Sequence, residues 1–418
     1  MQLREDFIAE CSRLIKKVRE SPRFLDFLDA LVTTLPLIKE QELAEKTGIP
    51  RTVINKYLRL LLLKNEGRSK VAACRVAGAQ HALGLGTLFV LMRNWLPMDL
   101  ALRITGGTDS QVFELRKKYI PHYYWIRTFA VVPEGFLLIY KYPLEEGYEF
   151  ILDDLRRLGE VMYHYSLTHY YITVPKVSDY WLGDRFADPA EALDIALENP
   201  SGYKATIVTK VNERPRDIYD VYLFAILEVN SLLSTRALGR LLREQLPLSK
   251  GMPKVETHIN HLIEDGAVYG HTILIHCNNY YLVHRSMDRC VQLNYDIVGH
   301  VNGSVWDILE FAMRYLYISQ ALVNPAEKIV GFNLRTPSME DLAKLIKFLE
   351  EHYGYEHLIA IPWLSRLTMH YTIPFRCLDP ITRRWVTDPE EVERLDEWLC
   401  NVGFDMEDAI IHKDRSGR

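Results

Sequence analysis

YYITVPKVSDYWLGDRFADPAEALDIALE, residues 170–198, and MHYTIPFRCLDPITRRWVTDPEEVERLDEWL, residues 369–399, repeat one pattern at a distance of about 200 residues. Each runs through Thr-aliphatic-Pro, Thr173-Val174-Pro175 and Thr372-Ile373-Pro374, and then crosses a Trp to an Asp-Pro, Asp188-Pro189 and Asp388-Pro389. In both copies the Asp-Pro opens an acidic segment with the signature of a helix start. Upstream of each tail, at a similar distance, lies a helix-turn-helix pattern. A long fixed period of this kind predicts a domain pair written twice, so that one chain serves as its own pseudo-dimer.

The bulk numbers bound the rest. A chain of 418 residues accommodates two to four domains, each with its own core. Hydrophobic content of 48% and charged content of 25% place it in the globular class. No apolar run is long enough to predict a membrane span. The opening MQLREDFIAECSRLIKKV is charged throughout, unlike a secretory leader, and Leu3, Phe7, Cys11, Leu14 and Val18 fall on one helical face. The six cysteines contain no CxxC pair, which points to a reducing, cytoplasmic setting. A net charge of −5 excludes indiscriminate nucleic-acid binding, so any DNA contact needs a local basic patch.

Ser21-Pro22 starts a helix whose apolar face is Phe24, Leu25, Phe27, Leu28 and Leu31. A short helix over 39–46, a turn at Gly48 and a third helix from Arg51 to about Lys64 complete a helix-turn-helix. Residues 68–76 are expected to form its wing. From Gly84 the order becomes β-α-β-β-α-β: LGTLFVLM, helix over 97–118, YYWIRTFAVV, FLLIYKYP, helix over 144–158 and HYSLTHYYITV. The second copy has helices over 218–229 and 235–245 and KVETHINHLIEDG (254–266) at the reading-helix position. It continues with strands at 272–283 and 290–298, a helix at 304–319, a strand at 328–334, a helix at 338–353 and a strand at 356–374. The expected organisation is a helix at 1–20, a winged helix-turn-helix at 21–80, a ferredoxin-like domain at 84–175, a connector at 176–215, a second winged helix-turn-helix at 216–285, a second ferredoxin-like domain at 286–376 and a helical tail at 377–418. The fold class is α+β, a duplicated winged helix-turn-helix plus ferredoxin-like (βαββαβ) domain.

Residues 51–76 carry seven Lys/Arg against the single acid Glu66. With Ile54, Tyr57, Leu58 and Leu61 turned to the core, Arg51, Thr52, Asn55, Lys56 and Arg59 share the outer face. Arg, Asn and Thr suit base edges in a major groove; Lys64, Arg68, Lys70 and Arg75 suit phosphates. The second reading helix is near neutral, with Lys250 and Lys254 against Glu256, Glu264 and Asp265. Weaker DNA contact is expected there, from Arg236, Arg240, Arg243 and Lys254.

The run LAEKTGIPRTVINKYLRLL (43–61), the passage GRSKVAACRVAGAQHALGLGTLFVLM (67–92) and the β-α-β-β-α-β order that follows resemble the Lrp/AsnC family of leucine-responsive and feast-famine regulators, over roughly 40–175. The resemblance implies a regulator of transcription that binds double-stranded DNA and pairs through ferredoxin-like units, as a homodimer or internally. It also implies a small-molecule effector between those units, with Pro133-Glu134-Gly135 as a rim and Tyr123, Tyr124, Trp125 and Tyr140 nearby; sheet packing accounts for the same aromatics. Siroheme decarboxylases resemble the same family, and their use of His near the second sheet strand singles out His122. A winged-helix adaptor that binds protein is the remaining alternative, favoured by the acidic total charge.

His258 and His261 stand i, i+3 on one helix, and His271, His276, Cys277 and His284 follow. On a helix-turn-helix surface and its wing these read as ordinary residues, so no metal is expected. The chain has no Walker A loop, GxGxxG, HExxH or GxSxG, so neither enzymatic activity nor a cofactor is expected.

Overall fold

The computed structural model describes residues 16–37, 40–61, 73–106, 110–198, 207–229, 231–245, 254–274, 293–336, 338–363, 368–370 and 373–401. The first half runs through α1 (Arg23–Val32), α2 (Glu40–Thr47) and α3 (Arg51–Leu61), then β1 (Ala73–Gly78), β2 (Leu85–Arg93), α4 (Met98–Gly106) and α5 (Ser110–Tyr119). It continues through β3 (Ile126–Val132), β4 (Gly135–Pro143), α6 (Glu149–Leu158), β5 (Glu160–Leu167), β6 (His169–Ile172) and α7 (Pro189–Glu198). The second half contains α8 (Ile218–Val229), α9 (Thr235–Gln245), α10 (Val255–Glu264), β7 (Val268–Leu274), β8 (Leu293–Val301), α11 (Val305–Arg314) and β9 (Ile318–Asn324). It closes with β10 (Ile329–Thr336), α12 (Met339–Tyr353), β11 (Tyr355–Trp363), β12 (Thr368–His370) and α13 (Pro389–Asn401).

Local chemistry sets these elements. Phe24, Phe27, Leu28 and Leu31 of α1 close over Ile54, Tyr57 and Leu61 of α3, and the Tyr57 ring lies 4.9 Å from Phe24. Burying each such side chain contributes about 1.5–3 kcal/mol. Gly48 takes φ +66° between α2 and α3, a conformation glycine adopts without strain. At α7, Asp188 accepts from the Glu191 amide at 3.0 Å while Glu191 accepts from the Asp188 amide at 2.8 Å, a reciprocal cap. Asp388 caps α13 with one half of that arrangement, accepting from the Glu391 amide at 2.9 Å.

Two five-stranded antiparallel sheets follow the orders β12-β3-β4-β2-β5 and β6-β9-β10-β8-β11. Read in this direction they are the same sheet, except that each takes its first strand from the other half. His169–Ile172 pairs with β9, and Thr368–His370 pairs with β3. The sequence reading of HYSLTHYYITV as one strand is therefore corrected: the chain leaves the first sheet after Leu167 and joins the second at His169. The strand read over 356–374 divides in the same way. The helix read over 304–319 stops at Arg314, and Ile318–Asn324 is a strand that the Ser and Gln of YISQALVN disguised. Of the strand read over 272–283, residues 275–283 lie outside the described residues.

The exchange extends to the winged helices. β1 and β7 pair antiparallel with each other, Val76 opposite His271. A Cβ on Gly78 would fall 2.6 Å from the Phe224 ring of α8, and one on Gly270 would fall 2.5 Å from the Val32 carbonyl of α1. Each wing strand thus lies against a helix of the other half. The cores cross as well. One unites Phe24, Phe27 and Ile54 with Phe311, Val330 and Phe332; another unites Leu223, Phe224 and Ile259 with Leu88, Phe129 and Leu138. A third, with Phe89, Leu91, Leu137, Val298, Ile329 and Ile361, glues sheet to sheet. The two repeated tails make the joints. In the first, the Tyr180 hydroxyl reaches the Arg314 carbonyl at 2.8 Å; in the second, the Trp385 indole N–H reaches the Leu83 carbonyl at 3.1 Å.

Candidate active site

Three ionisable groups sit inside the apolar layers of the first sheet and α8. β4 reads GFLLIYKYP, and its Lys141 is 1% exposed. Thr87 on β2 is its register partner, and Lys141 Nζ donates to Thr87 Oγ1 at 2.7 Å. The same nitrogen stands 3.9 Å from the centre of the Tyr170 ring, which the exchanged strand β6 brings in. α8, IYDVYLFAILEV, supplies the buried Glu228. Glu228 accepts from Arg127 of β3 at 3.2 Å and from Gln80 Nε2 at 2.6 Å. Arg127 also bonds Tyr170. Its side chain is 15% exposed, and there the cluster reaches solvent.

The electrostatics follow from the count. Among the described residues of this cluster two basic side chains meet one carboxylate. Burial pushes the Lys141 amine well below its ordinary value of 10.5, the neighbouring Arg127 charge adds to the effect, and Glu228 opposes it. Burial also opposes the Arg127 charge, but Glu228 and Tyr170 outweigh it. Two histidines flank the cluster. His81 Nε2 donates to the Val208 carbonyl at 2.7 Å, and Nδ1 accepts from the Tyr170 amide at 3.3 Å, so one neutral tautomer satisfies both nitrogens. Burial, then His169 and Lys141, hold His81 down to about 3. The His169 ring is 4.6 Å from that of His81, with its Nδ1 against Thr168 Oγ1 at 2.9 Å. His81 thus positions β6, and with it Tyr170, over the lysine. The available signal in the sequence was a charge interrupting an apolar run: Lys141, Glu228 and Arg127 each break one.

The basic helix is in place but partly engaged. Arg51, Thr52, Lys56 and Arg59 are exposed on α3. Arg51 Nε and Asn55 Nδ2 both donate to Glu40 of α2, at 2.9 and 2.7 Å. Two of the expected base-reading side chains are thus tied to a neighbouring acid. Lys64, Arg68 and Lys70 lie outside the described residues, and Arg75 is paired along its backbone with Thr272. Arg236, Arg240 and Lys254 are exposed, and Arg243 lies on α9. His122 Nε2 bonds Asp154 at 3.0 Å, apart from the cluster. Trp125 packs 5.9 Å from Trp385, and Tyr140 donates to the Pro121 carbonyl at 2.9 Å, the sheet-packing roles. His258 and His261 converge on Asp220 of α8. His271 bonds Ser231 at 2.7 Å, and His276, Cys277 and His284 lie outside the described residues.

The architecture is of the duplicated winged-helix plus ferredoxin-like class. No family model matches the chain, and no curated protein matches it. Among solved structures it is similar to the siroheme decarboxylase NirDL, at 12% identity and a TM-score of 0.41, over 91% of this chain and 99% of that one. It is similar also to NirDL in co-complex with an iron-uroporphyrin III analogue, at 11% identity and the same TM-score and coverage. Both are structures of an enzyme. The expectations of a DNA-reading transcription regulator and of a chain without enzymatic activity are corrected on that finding. Among the described residues, no helix is long and apolar enough to cross a membrane.

Proposed function

We propose that this chain is a decarboxylase acting on a polycarboxylated substrate, with Lys141 as the proton donor. The observation that carries the proposal is the buried Lys141 beside the Arg127–Glu228 ion pair, with Glu228 the one carboxylate among the described residues of the cluster. With the Lys141 amine unprotonated Arg127 and Glu228 balance, and the cluster becomes one anion short only when that amine takes a proton; a substrate carboxylate supplies the anion. An opposite charge beside Lys141 raises its proton affinity, so substrate binding protonates the amine. When the C–CO2 bond breaks, neutral CO2 departs and the electron pair, with the negative charge, stays on the substrate carbon. The buried ammonium, now facing that carbanion, transfers its proton to it, which forms the C–H bond and returns the amine to its neutral form. Arg127, at the solvent edge, orients the incoming carboxylate while Glu228 keeps the guanidinium in place. The small molecule expected between the paired units is then the substrate.

The enzyme to which the fold is similar acts on siroheme, which makes that tetrapyrrole the first substrate to offer. Anaerobic incubation followed by mass analysis is expected to show loss of CO2 units with the wild-type chain and not with Lys141→Met. Siroheme recovered intact from folded wild-type protein would set the proposal aside.

A further inference from the structure

The second winged helix carries histidines where its counterpart carries basic residues, and the decarboxylase reading does not use them. His258 and His261 are one turn apart on α10, so they share a face. That face meets the first turn of α8, where Asp220 is 1% exposed. His258 Nδ1 lies 2.8 Å from Asp220 Oδ1, and His261 Nδ1 lies 3.3 Å from each Asp220 oxygen. The three ligand atoms all fall within 4.8 Å of one another. A tetrahedral zinc site with bonds of about 2.0–2.1 Å has ligand-to-ligand edges of about 3.3 Å, so these separations are close to those a bound ion requires.

Competing charge is directed elsewhere. Arg216, four residues before Asp220 in the chain, is engaged by Asp265 at 2.7 Å and Glu264 at 2.9 Å. The Asp217 carboxylate accepts from the Tyr219 amide at 2.7 Å. Both imidazoles present the same ring nitrogen to the carboxylate. The His261 side chain is 28% exposed and that of His258 11%, which leaves one side open to solvent for entry and for a fourth, water ligand. Asp220 and Glu228 are separated by eight residues of one helix, about 12 Å, so this site is distinct from the lysine cluster.

We infer that Asp220, His258 and His261 form a binding site for a divalent transition-metal ion of the zinc type, which clamps α10 to α8. Two imidazoles and a carboxylate suit zinc or cobalt rather than magnesium or calcium. The ion neutralises a carboxylate that the fold buries against two imidazoles, and it pins the helix at the reading position. This inference is independent of the proposed catalysis.

The test uses the full chain, stripped with a chelator and dialysed, then titrated with Co(II) and Zn(II). One equivalent is expected to bind, with visible ligand-field bands of a four-coordinate Co(II) site that Zn(II) abolishes and a rise in Tm on metal addition. His261→Gln, at a partly exposed position, is expected to retain the fold by circular dichroism and to weaken binding by at least about 10–100-fold, the loss that follows even from removing an outer-shell partner of a ligand. His258→Gln is expected to do the same. The absence of stoichiometric binding to the wild-type chain would overturn the inference. So would a Co(II) spectrum and affinity unchanged in His261→Gln.

Discussion

Replacing Lys141 by Met tests the buried amine through pH rather than through activity. The folded state holds Lys141 below its ordinary value of 10.5, while the unfolded chain returns it there. Between the two values the unfolded state binds a proton that the folded state does not, so stability rises with pH by about 1.4 kcal/mol per unit from this group alone. The penalty is fully present below the folded value and is gone above 10.5. Met has nearly the same volume and no proton to bind, so Lys141→Met loses this slope. The substitution also leaves Thr87 Oγ1 without its lysine partner, a cost of about 1–3 kcal/mol. That cost does not depend on pH, so the difference in slope isolates the amine. Urea unfolding of both proteins between about pH 8 and pH 10 measures it, because all other titrating groups cancel. Parallel stability curves would refute the claim that the fold strips this lysine of its proton.

Three further outcomes follow from the crossed architecture and the cluster. Gly270→Ala places a Cβ 2.5 Å from the Val32 carbonyl, a backbone atom that must move, and is expected to destabilise the chain by about 1–3 kcal/mol in denaturant titration. Glu228→Gln removes the carboxylate that accepts from Arg127 and is expected to cost about 3–5 kcal/mol, measured in the same way. A chain divided between Glu198 and Ile207 is expected to give halves that unfold without cooperativity when alone and recover a cooperative transition when co-expressed, checked by calorimetry; two independently folded halves would contradict the strand exchange.

Much of the architecture was legible because its signals are local. Thr-aliphatic-Pro, Asp-Pro and the apolar spacing of Phe24, Phe27, Ile54 and Tyr57 are read within one or two turns of chain. The strand exchange was not, because pairing with a neighbouring strand and pairing with a distant one demand the same alternation. Only Thr168, between Leu167 and His169, marks the crossing, and nothing in its chemistry distinguishes a crossing from a bulge. The site was missed for a related reason. Lys141, Arg127 and Glu228 come from three elements and acquire meaning only when folding buries them together. The engagement of the basic face of α3 was not legible either, because Glu40, which holds Arg51 and Asn55, belongs to a different helix. His258 and His261 were visible as a pair, but their third member, Asp220, stands 38 residues earlier.

Turnover in deuterated water with siroheme as substrate follows the proton that Lys141 is proposed to deliver in place of CO2. Wild-type protein is expected to place one deuteron on each carbon that loses CO2, and Lys141→Met, folded and able to bind the tetrapyrrole, is expected to release none at a comparable rate. Equal rates and equal deuterium incorporation in the two proteins would contradict it.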